Sequence, residues 1–235
     1  MEWIKRGTLH YDQERVIMAA QDQGLLTGAF KKMAGISTNN KCRFCHTEVE
    51  SVSHLTSGCK VLLGDGYYTA RHNGVCEYLH WTICKDLNIK CSSKSWEHQP
   101  ERTVGNETYT IHYDYVIPTA TYLENEAVKP DIVIWNKKDR VATLVEVSVP
   151  NDAGLNRAER EKVTKYQGLM YDMKRNWNLR EINIIPVIIG ATGLMKKNFK
   201  KYLASIPGEP SAREIQTTAL KGTARILKRA LGWTH

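Results

Sequence analysis

No apolar run in the 235 residues approaches the length of about 18 needed to cross a bilayer. The first residues, MEWIKRGTLHYDQERVIMAAQ, have neither the apolar stretch nor the small-residue cleavage site of a secretory signal. A membrane-spanning or exported protein is therefore not expected, and an intracellular one is. There is no internal repeat and no low-complexity segment, which argues against a solenoid or a disordered tail. Acidic residues are scarce at one end. From Gly193 to His235 nine Lys or Arg stand against two acids, Glu209 and Glu214, in a chain of net charge +8. Such a segment either attracts a polyanion, most often nucleic acid, or forms a solvated helix face that keeps the protein soluble. A hydrophobic content of 42% is ordinary for a folded chain, and the length suits one sizeable domain with an annex or two small ones.

Residues 11–33 have helical spacing interrupted at Gly24, and residues 69–88 place Val75, Tyr78, Leu79, Ile83 and Leu87 at helical intervals. The stretch from Cys91 to Glu107 reads as a polar loop. Three strand-like segments follow, TYTIHYDYVI, DIVIW and VATLVEVSVP, with turns at Pro118 and at NKKDR. A long helix is expected over residues 155–175, burying Ala158, Val163, Tyr166, Leu169, Met170 and Met173. INIIPVIIGATG suits a strand covered on both faces, with Pro186 arguing against full pairing on both edges. Two helices close the chain, LMKKNFKKYLASI and one begun by Ser211 with Glu214 and ended at Gly232.

CRFCHTEVESVSHLTSGC carries metal-ligand spacing. Two residues separate Cys42 from Cys45, eight separate Cys45 from His54, and four separate His54 from Cys59. One tight turn can present the first two thiolates to a tetrahedral zinc ion, and His54 with Cys59 can close the site. Four ligands leave no open position, so the expected role is structural. His46 is a competing ligand, less well spaced. Cys76, Cys84 and Cys91 have no ligand-like pairing, and Cys76 and Cys84 read as small buried hydrophobes.

Two acids fall where strands are expected. Asp131 opens DIVIW after Pro130, and Glu146 lies inside LVEVSV. A carboxylate buried in a sheet must be paired, hydrogen-bonded or metal-bound. On adjacent strands the two can converge on a hard divalent cation such as Mg2+ or Mn2+, which can polarise a phosphodiester and activate water. Pro130-Asp131, fourteen intervening residues and Glu146 follow the PD-(D/E)xK nuclease pattern, except that Ser148 stands where the lysine belongs. Lys162 or Lys165, with Tyr166 beside them, can supply the amine from the following helix. The competing reading makes Asp131 a turn residue, Glu146 an exposed strand residue and the lysines ordinary surface groups.

Taken together, AAQDQGLLT, the Cys-Cys-His-Cys knuckle, ARHNGVCEYLHW, KPDIVIW, VEVSVP and KVTKYQGL resemble the C-terminal region of non-LTR retrotransposon proteins that carry a restriction-enzyme-like endonuclease. The resemblance spans most of residues 11–190. It implies an α/β (α+β) core with a mixed sheet flanked by helices. The layout is a helical segment (1–40), a zinc knuckle (41–68), the endonuclease core (69–205) and a basic C-terminal helix (206–235). It implies a nuclear enzyme that nicks DNA so that the freed 3′ hydroxyl primes reverse transcription, with DNA, and RNA as a further partner, as its nucleic acids. Asp131 and Glu146 would hold Mg2+ or Mn2+, Lys162 or Lys165 would be the displaced lysine, and Cys42, Cys45, His54 and Cys59 would hold structural Zn2+. Arg71, His72 and Asn73 match a basic motif of the family, and Glu77 is an extra carboxylate on the same helix. The DNA-contacting set is Arg71, His72, Lys129, Lys196, Lys197, Lys200, Lys201, Lys228 and Arg229. The chain has no reverse-transcriptase palm, with no Tyr-x-Asp-Asp, so it is expected to be either an excised C-terminal fragment of a polyprotein that carries that domain upstream or a truncated, repurposed descendant. The alternative, favoured by Ser148, is an inactive zinc-containing nucleic-acid-binding module.

Overall fold

The computed structural model describes residue 3, residues 9–117 and residues 129–233, apart from the side chains of residues 167–169. The turn expected at Pro118 and the buried side chain expected at Leu169 lie outside the described residues. The fold is mixed α/β. Its five-stranded sheet runs in the spatial order β1 (Thr103–Gly105), β2 (Tyr109–Tyr113), β3 (Ile132–Asn136), β4 (Val141–Ser148) and β5 (Glu181–Ile188). The first four pair antiparallel, whereas β4 and β5 are parallel. Pro186 is tolerated because β5 is the last strand of the sheet among the described residues, with no strand paired on its outer edge there. β1 lies inside the stretch expected to be a polar loop. Three residues are too few to show the alternation that marks a strand.

The tight β3–β4 connection fixes the register. The Asn136 side chain accepts from the Asp139 amide (2.9 Å) and donates to the Asp139 carboxylate (2.8 Å), and Arg140 closes the turn at φ 59°. Ile132 then pairs with Val145 and Asn136 with Val141. Asp131 extends this register to face Glu146. Because side chains alternate along a strand, a slip of one residue would turn Glu146 onto the opposite face.

Parallel pairing of β4 with β5 requires a crossover, which α5 (Leu155–Lys165) and α6 (Gln167–Asn176) provide. The single helix expected over 155–175 is broken at Tyr166, whose φ and ψ are −95° and 0°. The inward positions of α5 run Leu155, Ala158, Lys162 and then Tyr166, a spacing of three and four residues. Lys162 thus takes the inward place expected of Val163, which is exposed. Tyr166 and Met173 pack with Val133, Ala142, Leu144 and Ile182 on this face of the sheet.

The other face, with Ile132, Ile134, Val145, Val147 and Val187, is covered by α4 (Tyr67–Asp86), α7 (Phe199–Leu203) and the start of α8 (Ala212–Leu231). Of the helix expected over residues 194–206 only α7 forms. Ahead of it, Met195 bridges back to Ile189 and Gly193 has a left-handed φ of 95°. α8 begins at Ser211, whose hydroxyl accepts from the Glu214 amide, and ends at the left-handed Gly232, as its sequence predicts. Its second half packs in a separate core with Val16, Ile17 and Ala20 of α1 (Tyr11–Gln21) and with Leu55, Cys59 and Leu62 of the cysteine-rich segment. A short helix, α2 (Gly28–Met33), leads from α1 into that segment and α3 (Lys60–Gly64) leads out of it. No helix among the described residues is long and apolar enough to cross a membrane.

α8 therefore joins the two cores, and it does so through a close crossing of α4. A Cβ on Gly222 would lie 2.5 Å from Arg71 Cγ and 3.1 Å from its backbone Cα. Gly222→Ala should destabilise the protein by about 1–3 kcal/mol through overpacking. Gly64→Ala, in α3 with nothing within 4 Å of the added carbon, should be neutral or slightly stabilising. Urea unfolding of the two variants checks the contrast, and equal stabilities would show that the crossing is not close packed.

Candidate functional site

The cysteine-rich segment brings Cys42, Cys45, His54 and Cys59 together, with one ligand atom from each within 4.8 Å of all the others. Cys42 Sγ lies 3.9 Å from Cys59 Sγ, and Cys45 Sγ lies 3.4 Å from His54 Nε2. Tetrahedral zinc with ordinary bond lengths needs edges of about 3.8 Å between sulfurs and about 3.5 Å between sulfur and nitrogen. The donor set and its spacing therefore fit a structural zinc ion. His46, the competing ligand, is exposed in a left-handed conformation (φ 57°) outside the cluster. All six cysteines are free of disulfides.

The surroundings hold the ligands in place. The Tyr68 hydroxyl accepts from the Cys59 amide (3.0 Å) and lies within hydrogen-bond reach of the Leu55 carbonyl (2.9 Å). The Thr47 hydroxyl lies 3.4 Å from Cys45 Sγ, and with the Glu48 and Thr47 amides it lowers that thiol to about 5, toward the thiolate a metal requires. Burial pushes Cys42 the other way, to about 11. Glu50, only 2% exposed, anchors the segment. Its carboxylate takes a two-pronged contact from the Arg43 guanidinium (2.6 and 2.9 Å) and accepts from the amides of Gly28 and Arg43. The guanidinium also donates to the Ala230 carbonyl of α8 (2.5 Å). This pair escapes a reading of the sequence, since an Arg and a Glu seven residues apart have no ligand signature.

The second constellation lies where β3 begins and β4 ends, away from the β3–β4 turn and beneath α5. Lys162 Nζ is 2.8 Å from Glu146 Oε2 and 3.3 Å from Asp131 Oδ2, so one ammonium is shared between two carboxylates. The backbone supports both acids. The Val147 amide donates to Asp131 Oδ2 (2.7 Å) and the Asp131 amide to Glu146 Oε1 (3.2 Å). From α4, His72 Nε2 lies 3.3 Å from Asp131 Oδ2. The Tyr166 hydroxyl donates to the Lys129 carbonyl (3.3 Å) and also interacts with the Glu146 carboxylate. Cys76, one helical turn beyond His72, places its sulfur 3.8 Å from His72 Nε2.

Charge and burial set the protonation of these groups. Burial alone would raise Asp131, but the contacts from His72 and Lys162 outweigh it and hold the carboxyl below its usual value. Glu146, fully buried, is raised by burial and by the negative charge of Asp131. Burial opposes the charge on Lys162, yet the two acids raise its pKa above the ordinary lysine value. His72 is likewise raised by Asp131 against the effect of burial. Burial pushes the Cys76 thiol well up.

Lys162 therefore joins the carboxylates, whereas Lys165 is exposed and lies over the Tyr166 ring, 5.4 Å from its centroid. Glu77 is half-buried, with no hydrogen bond to Asp131 or Glu146 among the described residues. Arg71 is buried rather than presented to solvent. Its guanidinium donates to Thr223 Oγ1 and to the Val149 carbonyl, 3.0 Å each, and ties α4 to α8 and to the end of β4. Of the other expected DNA contacts, Lys129 pairs with Asp114 (2.6 Å), Lys196 with Glu159, and Lys228 with Asp12 (3.7 Å). Lys197, Lys200, Lys201 and Arg229 are exposed. His72, expected to touch DNA, touches Asp131 and stays partly exposed. The spacing of His72 and Cys76, four residues apart on one helix, was the available signal for their convergence.

Zinc removal gives a direct test of the first cluster. Dialysis against a chelator, or the Cys59→Ala substitution, should remove about one zinc ion per chain and lower the melting temperature sharply, because metal binding is linked to folding of such small segments. Metal analysis and thermal melts check both, and a melting temperature indifferent to chelator would contradict a structural zinc.

In comparisons with known proteins, no family model and no curated protein matches the chain.

Proposed function

We propose that the chain is a divalent-cation-dependent DNA endonuclease that nicks one strand to leave a 3′ hydroxyl. The observation that carries this reading is the convergence of Asp131, Glu146 and Lys162. Two carboxylates face each other across paired strands, and an amine from the next helix reaches both. Opposed acids that already share a positively charged group make a natural seat for a hard cation of the Mg2+ or Mn2+ type. When bound, such a cation supplies charge neutralisation of the phosphodiester and a water of lowered pKa.

The protein groups then have separable tasks. Asp131 and Glu146 would hold the cation. Lys162 would bring its positive charge to a phosphate placed at Asp131, orienting the attacking water or offsetting charge on the pentacovalent phosphorus. His72 holds the Asp131 carboxylate by its Nε2 contact, and Tyr166 steadies Glu146. Lys162 on α5 would supply the amine missing at Ser148, which weakens the case for an inactive binding module. Lys197, Lys200, Lys201 and Arg229 would bind the DNA backbone, through phosphates and with strong salt dependence. The resemblance of the motifs to retrotransposon endonuclease regions extends this to priming of reverse transcription in the nucleus, with a polymerase and an RNA template as partners.

Asp131→Ala should abolish Mg2+-dependent plasmid nicking while leaving DNA affinity nearly intact. Lys162→Ala should lower the rate on the order of 100-fold or more, and Lys165→Ala should leave it essentially unchanged. Unaltered nicking by Asp131→Ala protein would remove the reading, whereas metal-independent binding with no nicking by the wild type, with RNA and polymerase present, would favour the inactive module.

The pH profile follows from Glu146. Its pKa in the folded protein is raised above 4.5, so just above that pH it still carries the proton that a cation must displace. Nicking at fixed, subsaturating Mg2+ should climb as pH rises through the raised value and then level. A rate independent of pH across the acidic range, with the protein still folded, would contradict the assignment.

A further inference from the structure

A third group of metal-ligating side chains shares Asp131 with the carboxylate centre and adds Cys76, which has no task in nicking. His72 Nε2 is 3.3 Å from Asp131 Oδ2 and 3.8 Å from Cys76 Sγ, and one ligand atom of each residue lies within 4.8 Å of the other two. Tetrahedral zinc needs edges of about 3.3 Å between nitrogen and oxygen and about 3.5 Å between nitrogen and sulfur. Cys76 Sγ lies almost equally far from His72 Nδ1 (3.7 Å) and Nε2 (3.8 Å), beside the ring rather than on the Nε2 lone pair, so closing the site requires a turn of the imidazole that aims Nε2 at both Cys76 and Asp131. His72 and Cys76 are one turn apart on α4, a rigid helix packed on the sheet, and Asp131 is fixed by the Val147 amide.

The geometry points to a second zinc site, formed by His72, Cys76 and Asp131, that competes with the hard-cation site for Asp131 and switches the nuclease off. The donor types separate the two metals. A thiolate and an imidazole select a borderline-soft ion, whereas Mg2+ takes oxygen ligands. Three protein ligands leave a fourth position for water, and the His72 side chain is 29% exposed, which gives an ion access. On binding, the Cys76 thiol loses its proton to solvent as the sulfur–zinc bond forms, so affinity rises with pH. Zinc on Asp131 Oδ2 takes the oxygen that Lys162 and the Val147 amide now address, and its charge repels the Lys162 ammonium.

The binding site stands on its own ligands, and only its inhibitory effect rests on the endonuclease reading. The test uses the full chain, equilibrated with zinc and then analysed for bound metal. Wild-type protein should hold about two zinc ions, one in the Cys42–Cys59 cluster and one here, and Cys76→Ala should hold about one. His72→Ala, at a partly exposed position, should also hold about one, which guards against misfolding of the core variant. Cobalt substitution should show a second thiolate charge-transfer contribution that Cys76→Ala loses. In nicking assays at fixed Mg2+, zinc sufficient to fill the second site should inhibit the wild type, and zinc should no longer change the rate of Cys76→Ala. One zinc per wild-type chain, or two retained in both variants, overturns the site. Two zinc ions bound with nicking unaffected overturns the inhibition. A second zinc lost in both variants, in a protein that never nicks with Mg2+, upholds the site and removes the endonuclease reading instead.

Discussion

A lysine ammonium shared by two opposed carboxylates, under a helix and at the rim of a sheet, is the contact on which the reading of this protein depends. Glu146 is fully buried, and an unpaired charge in such a place would cost several kcal/mol. It is kept there by Lys162, by the Asp131 amide and by Tyr166. Removing one partner from such a group leaves the others uncompensated, so it acts as a unit. Its stability as an ion pair is modest, because desolvation offsets much of the attraction. A sheet that needed only stability would do as well with an apolar residue at position 146. That imbalance is the physical reason for assigning the group a chemical task.

The rest of the architecture positions this contact. The Asn136–Arg140 turn sets the strand register, the register puts Asp131 opposite Glu146, and the break at Tyr166 keeps Lys162 and Tyr166 both facing inward. On the far side, α4 brings His72 and Cys76, and its close crossing with α8 at Gly222 fixes where α4 lies. α8 in turn packs against the cysteine-rich segment, which is held by Glu50 and Arg43 and has the ligand spacing to hold zinc. Zinc cluster and carboxylate centre are thus mechanically connected through one long helix.

Much of this was legible in the sequence because the relevant signals are local. The Cys-Cys-His-Cys spacing, the apolar, β-branched runs of β3 and β4, the cap at Ser211 and the stop at Gly232 each need only a short window of residues. The pairing of Asp131 with Glu146 was legible because a short turn forces neighbouring strands to face each other. What was not legible depended on contacts far apart in the chain. Neither Lys162 nor Lys165 could be preferred until the inward positions of α5 were known. Arg71, basic and beside the site, looked like a DNA contact but is consumed in bonds to Thr223 and Val149. Cys76 looked like an inert core residue because nothing in its neighbourhood of sequence predicts Asp131 beside it.

The most direct measurement of the central claim is a crystal structure of the protein soaked in Mn2+, read by anomalous scattering. The account predicts a manganese peak between the carboxylates of Asp131 and Glu146, with Lys162 moved away from the shared position. Soaked crystals in which Lys162 still bridges the two acids, and no manganese lies between them, would contradict it.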